Sequence, residues 1–466
     1  MEAEYYRELV RPTIAGRRWI LAGAPATGFT SLAKQLRELG AERSFIIASS
    51  TGTGDLPAED DAEWVDLGVQ APTIMKSFRA TQALLEDLPP WVREAVDSYD
   101  PERSAWVLGT PFLFQPTLAD RLVFGYRRPE WVVLEDKVVV DAFWDGAGVR
   151  RPPSRVVAAE AEALREAAAR LGRGSGTVWQ GDAKEGFNGG AEYLRWVREE
   201  EDAAEAIEYF TAHCDRVRVT PFLEGIPCSI HGMVFPEVVV AFRPVEIVTL
   251  RKAGSNRLLY AGTATFWDPP DADRDGMRKL ALRVGGALRD RVSYRGAFTV
   301  DGVMTEEGFL PTELNTRAGA GLGPVAGALP DLPFGSVNRA LLAGEALDYR
   351  PEDFERLVAE AADAKRGGGG YTVVPLARSE TLERAVVRTG AGYRPAEQGE
   401  EPDGKLVFGP SDVGGFVRFA PEEGRLPVGD SIAPRVVEAF RLADRLWKAG
   451  LGPLEPARDV RSRATA

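Results

Sequence analysis

Short apolar runs alternate with stretches of helical periodicity over the first quarter of the chain. The apolar runs of strand length are RRWILA (17–22), RSFIIAS (43–49) and SAWVLGT (104–110). Amphipathic helical spacing is found in SLAKQLRELG (31–40) and MKSFRATQALLEDL (75–88). Strands that alternate with helices are typical of a layered α/β domain, which this pattern predicts for residues 1–127.

The pattern changes between residues 128 and 222. It predicts, in chain order, an alanine-rich surface helix (VVAAEAEALREAAARLGR, 156–173), a strand (GTVWQGD, 176–182), a glycine-rich loop that leads into a strand (EGFNGGAEYLRWV, 185–197) and an acidic helix (198–213). Helix, strand, glycine loop, strand and helix together describe a small two-layer α+β lobe.

Strands with period-2 alternation dominate residues 216–320. They are followed by one helix and by a hairpin, two apolar strands around a turn at 305–308. The glycine run 367–370 ends a helical stretch and opens a C-terminal extension of about a hundred residues. The amphipathic helix of this extension, 433–450, is expected to pack into a core more readily than to present a partner surface.

The composition fits a folded protein of several domains. The chain has 466 residues, of which 44% are hydrophobic and 27% charged, and its length predicts about three domains. A formal net charge of -13 argues against a nucleic-acid surface or an anionic membrane as the main partner. The sequence has no run of about 18 apolar residues, and its N-terminus is charged. We therefore expect a cytoplasmic protein.

Cysteine and histidine are too sparse to build a metal site. Cys214 and Cys228 fit no ligand spacing and are expected to pack as small reduced hydrophobes. His213 and His231 are the only histidines in the sequence. Any metal ion must therefore be held by carboxylates.

The turn AGAPATGFTSLA (22–33) has part of the spacing of a phosphate-binding P-loop. Gly23, Gly28 and Thr30 are in place, but Phe29 stands where the phosphate-binding lysine belongs. An apolar ring cannot supply that charge, so a P-loop kinase is disfavoured.

The hairpin carries the strongest chemical signal. Alternation along the return strand places Glu313, Asn315 and Arg317 on one face, and pairing across the turn can bring Asp301 beside them. Two carboxylates and an amide carbonyl suit Mg²⁺, which prefers hard oxygen ligands. From spacing alone, a solvated face with ordinary ion pairs fits equally well.

YRGAFTVDGVMTEEGFLPTELNTRAG (294–319) resembles the metal-binding hairpin of the ATP-grasp superfamily, in which an acid precedes E-x-N-x-R. Glu313 to Arg317 matches that pattern residue for residue. The resemblance implies an α/β pre-ATP-grasp domain (1–127), an ATP-grasp fold of two α+β lobes (128–222 and 223–365) and a C-terminal extension (366–466). It also implies that Asp301, Glu313 and Asn315 hold one or two Mg²⁺ ions.

Upstream segments resemble the ATP site of the same superfamily. Asp136-Lys137 is similar to the stretch that supplies the first phosphate-binding lysine, although a surface lysine is the alternative. EGFNGG resembles the glycine loop that closes over the triphosphate. Arg218 to Gly225 resembles the adenine hinge. The residues implied to bind ATP are Lys137, Gln180, Lys184, Gly186, Gly189, Gly190, Thr220 and Leu223.

Two positions depart from the superfamily pattern. Gln180 ends the strand that usually ends in a second lysine, so Lys184 must reach the phosphates or a neutral amide must suffice. Thr220 stands where many members have a glutamate that recognises the adenine amino group, which makes the selectivity for ATP over GTP less secure.

The resemblance implies a carboxylate-amine ligase that forms an acyl phosphate, with small-molecule acid and amine or peptide substrates. Arg317 would hold the acid or the acyl phosphate, and Arg251 is a second candidate for phosphate contact, against a plain strand-end arginine. The opening turn at 23–31 would line a substrate pocket or be purely structural. The extension would close over the acceptor or form a homodimer contact.

The domain order looks most like bacterial amino-acid or peptide ligases of secondary metabolism, including the type that acts in pheganomycin biosynthesis. Two alternatives remain open. A biotin-carboxylase-like enzyme would activate bicarbonate with the same hairpin. A non-catalytic nucleotide sensor would bind ATP without turnover.

Overall fold

The computed structural model describes residues 2–187, 189 and 191–461. The α-helices of this part of the chain are α1 (Glu2–Ile14), α2 (Thr30–Glu38), α3 (Ile74–Glu86), α4 (Pro90–Tyr99), α5 (Pro129–Val132), α6 (Val140–Gly146), α7 (Ala161–Leu171), α8 (Glu200–His213), α9 (Asp271–Val292), α10 (Leu322–Gly327), α11 (Phe334–Ala343), α12 (Pro351–Ala364) and α13 (Ala433–Trp447). Short 3-10 helices cover Ala26–Phe29 and Val133–Glu135.

The strands form four larger sheets and a two-stranded ribbon. In chain order they are β1 (Trp19–Ala22), β2 (Ser44–Ala48), β3 (Ala62–Asp66), β4 (Trp106–Gly109), β5 (Thr117–Leu118), β6 (Arg121–Leu122), β7 (Arg155–Ala158), β8 (Thr177–Gly181), β9 (Leu194–Val197), β10 (Arg216–Pro221), β11 (Ile226–Val234), β12 (Val239–Lys252), β13 (Leu258–Ala264), β14 (Gly296–Thr305), β15 (Gly308–Asn315), β16 (Gly370–Val374), β17 (Leu382–Thr389), β18 (Gly392–Pro395), β19 (Gly404–Ser411), β20 (Gly414–Pro421) and β21 (Leu454–Pro456).

The first sheet is parallel and has the order β3-β2-β1-β4. Every residue of β1 and β2 is buried, as expected for central strands of a parallel sheet with both faces covered. This confirms the predicted α/β pattern. The pattern did not predict β3, because this edge strand is only half-buried and carries acidic residues within a short apolar run.

The glycine turn after β1 leads through the first 3-10 helix into α2, as its sequence predicts. The Phe29 ring is only 5% exposed and packs in the core beside Ala33 and Leu36. The residue that occupies the lysine position of a P-loop is therefore a core residue.

The second sheet is antiparallel, with the order β7-β10-β8-β9, and its core includes side chains from α7 and α8. One prediction here is wrong. Residues 155–158 form β7 along the edge of β10, and the helix predicted to begin at 156 begins only at Ala161. The β-branched pair Val156-Val157 favours a strand, and pairing with β10 supplies hydrogen bonds that outweigh the helix propensity of the alanines that follow.

The third sheet has the order β13-β12-β11-β14-β15, and β21 pairs with β12. The predicted hairpin is present, with Thr305 paired to Gly308 at its turn. Helix α9 packs on this sheet through Met277 and Leu288, which share a core with Leu314 of β15. This packing fixes one face of the hairpin and leaves its other face for polar side chains.

The fourth sheet, β16-β20-β19-β17-β18, belongs to the C-terminal extension. Helix α13 buries Val436 and Phe440 in a core that also contains Val248 and Leu250 of β12, so the core interpretation of this helix is confirmed. The buried carboxylate of Glu246, also on β12, accepts a hydrogen bond of 2.9 Å from the Ile432 N–H at the start of α13. The extension is thus attached to the third sheet by apolar and polar contacts.

Both cysteines are buried and unpaired, as predicted. Within residues 2–187, 189 and 191–461, no helix is long and apolar enough to cross a membrane. The domain boundaries drawn from the sequence stay predictions.

Candidate active site

The β14–β15 register brings the predicted hairpin residues together. Asp301 is paired with Glu313, and Thr299 with Asn315, so these side chains share the face opposite to buried Leu314. Asn315 Nδ2 donates to Asp301 Oδ2 at 2.9 Å. Arg317 Nη2 donates to Asn315 Oδ1 at 2.8 Å. Asp301, Asn315 and Arg317 are therefore linked by hydrogen bonds, and Glu313 faces Asp301 from its paired position on β15.

Lys137 joins this group from a different part of the chain. Its Nζ lies 3.4 Å from Glu313 Oε1, and the lysine side chain is only 6% exposed. The neighbouring Asp136 accepts hydrogen bonds from the backbone N–H groups of Val138 and Ala183, at 3.0 and 3.3 Å. The segment that carries Lys137 is thus fixed next to the strand that precedes the glycine loop.

Negative charge is crowded at the hairpin. Burial, followed by the repulsion of Glu313, raises the pKa of Asp301, while Arg317 and Lys137 oppose that rise. A divalent cation would relieve this repulsion, so the donor set fits Mg²⁺. The Asn315 oxygen already accepts from Arg317, and metal binding would share or exchange that contact.

Few side-chain oxygens at the hairpin are available as metal ligands. No group of three or more His, Cys, Asp or Glu side chains within the described residues could hold a metal ion. Two carboxylates and one amide are therefore the protein ligands available here, and Mg²⁺ commonly completes such a set with water and phosphate oxygens.

A buried carboxylate that the sequence analysis missed orients Arg317. Glu135 Oε2 accepts from Arg317 Nε at 3.3 Å, and Glu135 Oε1 accepts from Thr316 Oγ1 at 3.1 Å. Glu135 also pairs with buried Arg127, whose Nε donates to the Thr316 carbonyl at 3.2 Å. The position of Glu135, two residues before Lys137, could have indicated in the sequence that it lies at the site. No local pattern pointed to Arg127.

The glycine loop contacts the N-terminal domain. Arg79 on α3 donates from Nη2 to the Phe187 carbonyl and from Nη1 to Tyr193 Oη, both at 3.2 Å. Gly186 has a φ of 93°, a conformation that favours glycine. Gly189 lies in the same loop, and Gly190 lies outside the described residues. The phosphate contacts of all three glycines stay predictions.

The two candidates for the second phosphate-binding position are placed differently. Gln180 is buried, and its Oε1 accepts from Arg218 Nη1 at 2.9 Å. Arg218 Nη1 also donates to the Thr312 carbonyl of β15 at 3.3 Å, so Gln180 lies close to the hairpin. Lys184 is exposed and pairs with Asp215 at 2.7 Å. Gln180 therefore lies near the hairpin and Lys184 at the surface, and the phosphate contact of either residue stays a prediction.

The predicted adenine hinge follows β10. Thr220 is buried, and its Oγ1 lies 3.5 Å from the Val178 carbonyl. Half-buried Leu223 follows Phe222, whose ring stacks on Trp196 with centroids 4.5 Å apart. At Gly225, with a φ of 142°, an added Cβ would lie 2.0 Å from the Met304 carbonyl oxygen. Only glycine fits the end of this hinge.

Arg251 lies at the hinge. Its Nη2 is 2.7 Å from Glu224 Oε2, and its guanidinium lies 5.2 and 5.0 Å from the ring centroids of Trp196 and Phe222. These contacts place Arg251 beside the predicted adenine hinge. Its predicted phosphate contact stays a prediction.

A cavity of about 860 Å³ lies where the opening turn, β13 and the C-terminal sheet meet. Its volume is in the range of small-molecule sites. It is lined by residues such as Pro25, Thr27, Tyr260, Gly369, Tyr371 and Phe416. Thr263, also in the lining, has its Oγ1 3.5 Å from the Ala320 carbonyl, three residues after Arg317. The cavity thus borders the segment that follows the hairpin.

No protein-family model and no curated protein sequence matches the chain. Solved structures do match it. The biotin carboxylase domain of 2-oxoglutarate carboxylase from Hydrogenobacter thermophilus, in complex with MgADP, ADP and bicarbonate, is 13% identical with a TM-score of 0.55, covering 95% of this chain and 91% of that chain.

Two further solved structures are similar. An N5-carboxyaminoimidazole ribonucleotide synthetase in complex with ADP is 12% identical with a TM-score of 0.51, covering 93% of this chain and 98% of that chain. L-amino acid ligase from Bacillus licheniformis is 14% identical with a TM-score of 0.50, covering 92% of this chain and 98% of that chain. At this identity the likeness establishes the fold. The chain has the multidomain ATP-grasp fold that its hairpin sequence predicted.

Proposed function

We propose that this ATP-grasp chain is an ATP-dependent carboxylate-amine ligase, which activates an acid as an acyl phosphate and releases ADP and phosphate. One observation carries the proposal. Asp301, Glu313, Asn315 and Arg317 meet on one face of the hairpin, and Lys137 reaches them from a separate segment. Such a group combines oxygen ligands with cations, the combination that phosphoryl transfer requires.

The nucleotide would lie between the second and third sheets. Its phosphates would contact Lys137, the glycine loop and Gln180, and its adenine would lie at the hinge, 220–223. One or two Mg²⁺ ions on Asp301, Glu313 and Asn315 would neutralise phosphate charge during transfer. Positioning and charge stabilisation then supply most of the catalysis.

The reaction has two steps. An oxygen of the acid attacks the γ-phosphorus of ATP, the bond between that phosphorus and the β–γ bridging oxygen breaks, and ADP leaves. The amine nitrogen then attacks the acyl carbon, the bond between that carbon and the phosphate oxygen breaks, and phosphate leaves with the proton that the nitrogen loses as the amide forms. Arg317 is a planar donor fork suited to the acid or the acyl phosphate, and Glu135 holds it in place.

The cavity of about 860 Å³ is the proposed acceptor site. Its size suits an amino acid or a short peptide, and the opening turn contributes Pro25 and Thr27 to it. We therefore propose an amino-acid or peptide ligase, with a role in secondary metabolism such as antibiotic biosynthesis. The likeness to the L-amino acid ligase fold is compatible with this narrower assignment.

A second candidate function is bicarbonate activation. It is favoured by the TM-score of 0.55 to a biotin carboxylase domain whose structure holds bicarbonate. The cavity is much larger than bicarbonate needs, which supports the larger substrates of the first proposal.

ADP release separates these functions. The purified chain is incubated with MgATP and with amino acids and short peptides in pairs, and ADP is measured over time. We expect rapid ADP release only when an acid and an amine are both present. Release that requires bicarbonate instead identifies the carboxylase, and release in no mixture despite ATP binding identifies a sensor. Either outcome contradicts the ligase proposal.

A further inference from the structure

Four phenylalanine side chains from three segments meet beside Arg317. We call them the phenylalanine cluster: Phe78 on α3, Phe112 and Phe114 after β4, and Phe187 in the glycine loop. Ring centroids lie 4.7 Å apart for Phe78 and Phe112, 4.7 Å for Phe112 and Phe187, and 6.2 Å for Phe114 and Phe187. All four residues are only half-buried. The cluster is an apolar surface that a small molecule can still reach.

Arg317 connects this apolar surface to the polar side chains of the hairpin. Its guanidinium carbon lies 5.4 Å from the ring centroid of Phe112 and 5.6 Å from that of Phe187. Its polar edge meanwhile bonds to Glu135 and Asn315. An acid held by Arg317 would therefore have aromatic rings within a few ångströms of the group attached to its carboxyl carbon.

Two arginine side chains bond to the backbone of residues 109–112, the segment that leads from β4 to the cluster. Arg127 donates to the Pro111 carbonyl at 2.6 Å, and Arg339 donates to the Gly109 carbonyl. Glu135 pairs with both Arg127 and Arg317. Within the part of the chain that the structure describes, Arg339 has no carboxylate within 4 Å. These contacts fix the backbone that leads to Phe112.

The position in the fold also favours a ligand. Gly109 ends β4, a strand of the parallel sheet, and ligands of open α/β sheets bind beyond the carboxyl ends of the strands. Phe112 and Phe114 lie in the segment just beyond that end. The glycine loop closes the cluster from the other side through Phe187.

A simpler role for the cluster is a latch that holds the glycine loop against α3. Polar contacts already provide such a latch. Arg79 Nη2 donates to the Phe187 carbonyl, and Arg79 Nη1 lies 3.5 Å from Glu185 Oε2. A latch of this kind does not require four half-buried phenylalanine rings as well. The two roles differ in one measurable way, since a latch affects every acid alike and a side-chain pocket affects acids according to their side chain.

We propose that the phenylalanine cluster is the side-chain pocket of the acid substrate, and that this acid carries an aromatic or large aliphatic side chain. The inference rests on the proposed ligase function and narrows its substrate class. Small or charged acids are expected to be poor substrates, because they leave the rings exposed or place charge against them.

Trapping the acyl phosphate with hydroxylamine tests the substrate class. The hydroxylamine nitrogen attacks the acyl carbon, the bond between that carbon and the phosphate oxygen breaks, and phosphate leaves with the proton that the nitrogen loses. The hydroxamate is then measured as its coloured iron complex. Phenylalanine, leucine, alanine and glutamate are compared as acids with MgATP. We expect kcat/KM for phenylalanine to exceed that for alanine by roughly 10- to 100-fold, and glutamate to be the poorest of the four.

Variants then separate the pocket from the latch. Phe112→Ala is expected to lower the phenylalanine-to-alanine ratio of kcat/KM by about 10-fold, and Phe112→Leu by less. Arg79→Ala, which breaks the polar latch, is expected to lower turnover of both acids and to keep their ratio. Phe309→Leu, at a half-buried phenylalanine near the hairpin turn, is the matched control and should also keep the ratio.

The ratio is insensitive to partial misfolding, because both acids are measured on the same active molecules. Hydroxamate formation with equal or reversed preference overturns this inference and leaves the ligase function standing. If Phe112→Ala and Phe112→Leu lower kcat/KM equally for both acids, the cluster is a latch and the pocket inference is wrong. Absence of hydroxamate and of ADP release with every acid overturns the ligase function, and this inference with it.

Discussion

Glu313→Gln is expected to lower acid-dependent ADP release by roughly 10³-fold, since electrostatic groups at a phosphoryl-transfer site commonly contribute this much. The amide keeps the size of the side chain but removes the charge that faces Lys137 Nζ at 3.4 Å and that would bind the metal ion. Asp301→Asn is expected to have an effect of the same size. The measurement is the initial rate of ADP release at saturating MgATP, with the melting temperature as a check on folding.

The same hairpin offers a matched control for this prediction. Glu307 lies at the turn, is exposed, and pairs with exposed Arg150. Glu307→Gln should keep the wild-type rate, since exposed ion pairs contribute little. If Glu313→Gln keeps a rate within a few fold of wild type while the chain is folded, the assignment of the hairpin as the metal and phosphate site is wrong.

Arg317→Lys is expected to lower kcat by roughly 10²- to 10³-fold although the positive charge remains. A lysine cannot reproduce the planar fork that contacts Asn315 and Glu135 while another edge holds the acid. Glu135→Gln should give a smaller loss of about 10- to 100-fold, because it only loosens the orientation of Arg317. The two changes should be less than additive when combined, since both act through the same guanidinium.

Kinetics with varied acid concentration check this second prediction. A loss in kcat/KM for the acid with an unchanged KM for ATP is expected for both single variants. Arg150→Lys, at the exposed partner of Glu307, is the control for an arginine-to-lysine change away from the site. Wild-type kinetics in Arg317→Lys would show that the guanidinium does not hold the reacting acid.

Local patterns predicted the parts of the site that lie close together in the sequence. Alternation on β14 and β15, with a turn between them, sets which residues face one another, so the meeting of Asp301, Glu313 and Asn315 followed from the sequence. The layered α/β pattern of the first domain followed from the apolar runs of β1, β2 and β4, which alternate with helical stretches.

Contacts between distant segments were beyond local patterns. Glu135 and Arg317 are 182 residues apart, and Arg127 and Thr316 are 189 apart, so no spacing rule connects them. The phenylalanine cluster likewise joins three segments, each with only one or two of its rings. Strand β7 was missed because its edge pairing with β10 overrides the helix propensity of neighbouring alanines.

The transfer of an oxygen atom tests the central claim most directly. The acid is prepared with ¹⁸O in its carboxylate and is turned over with MgATP and an amine, and the phosphate and nucleotide products are analysed by mass. An acyl phosphate predicts one ¹⁸O atom in each inorganic phosphate, because the oxygen that attacks the γ-phosphorus leaves with it. Label in AMP, or unlabelled phosphate alongside amide product, would contradict the account.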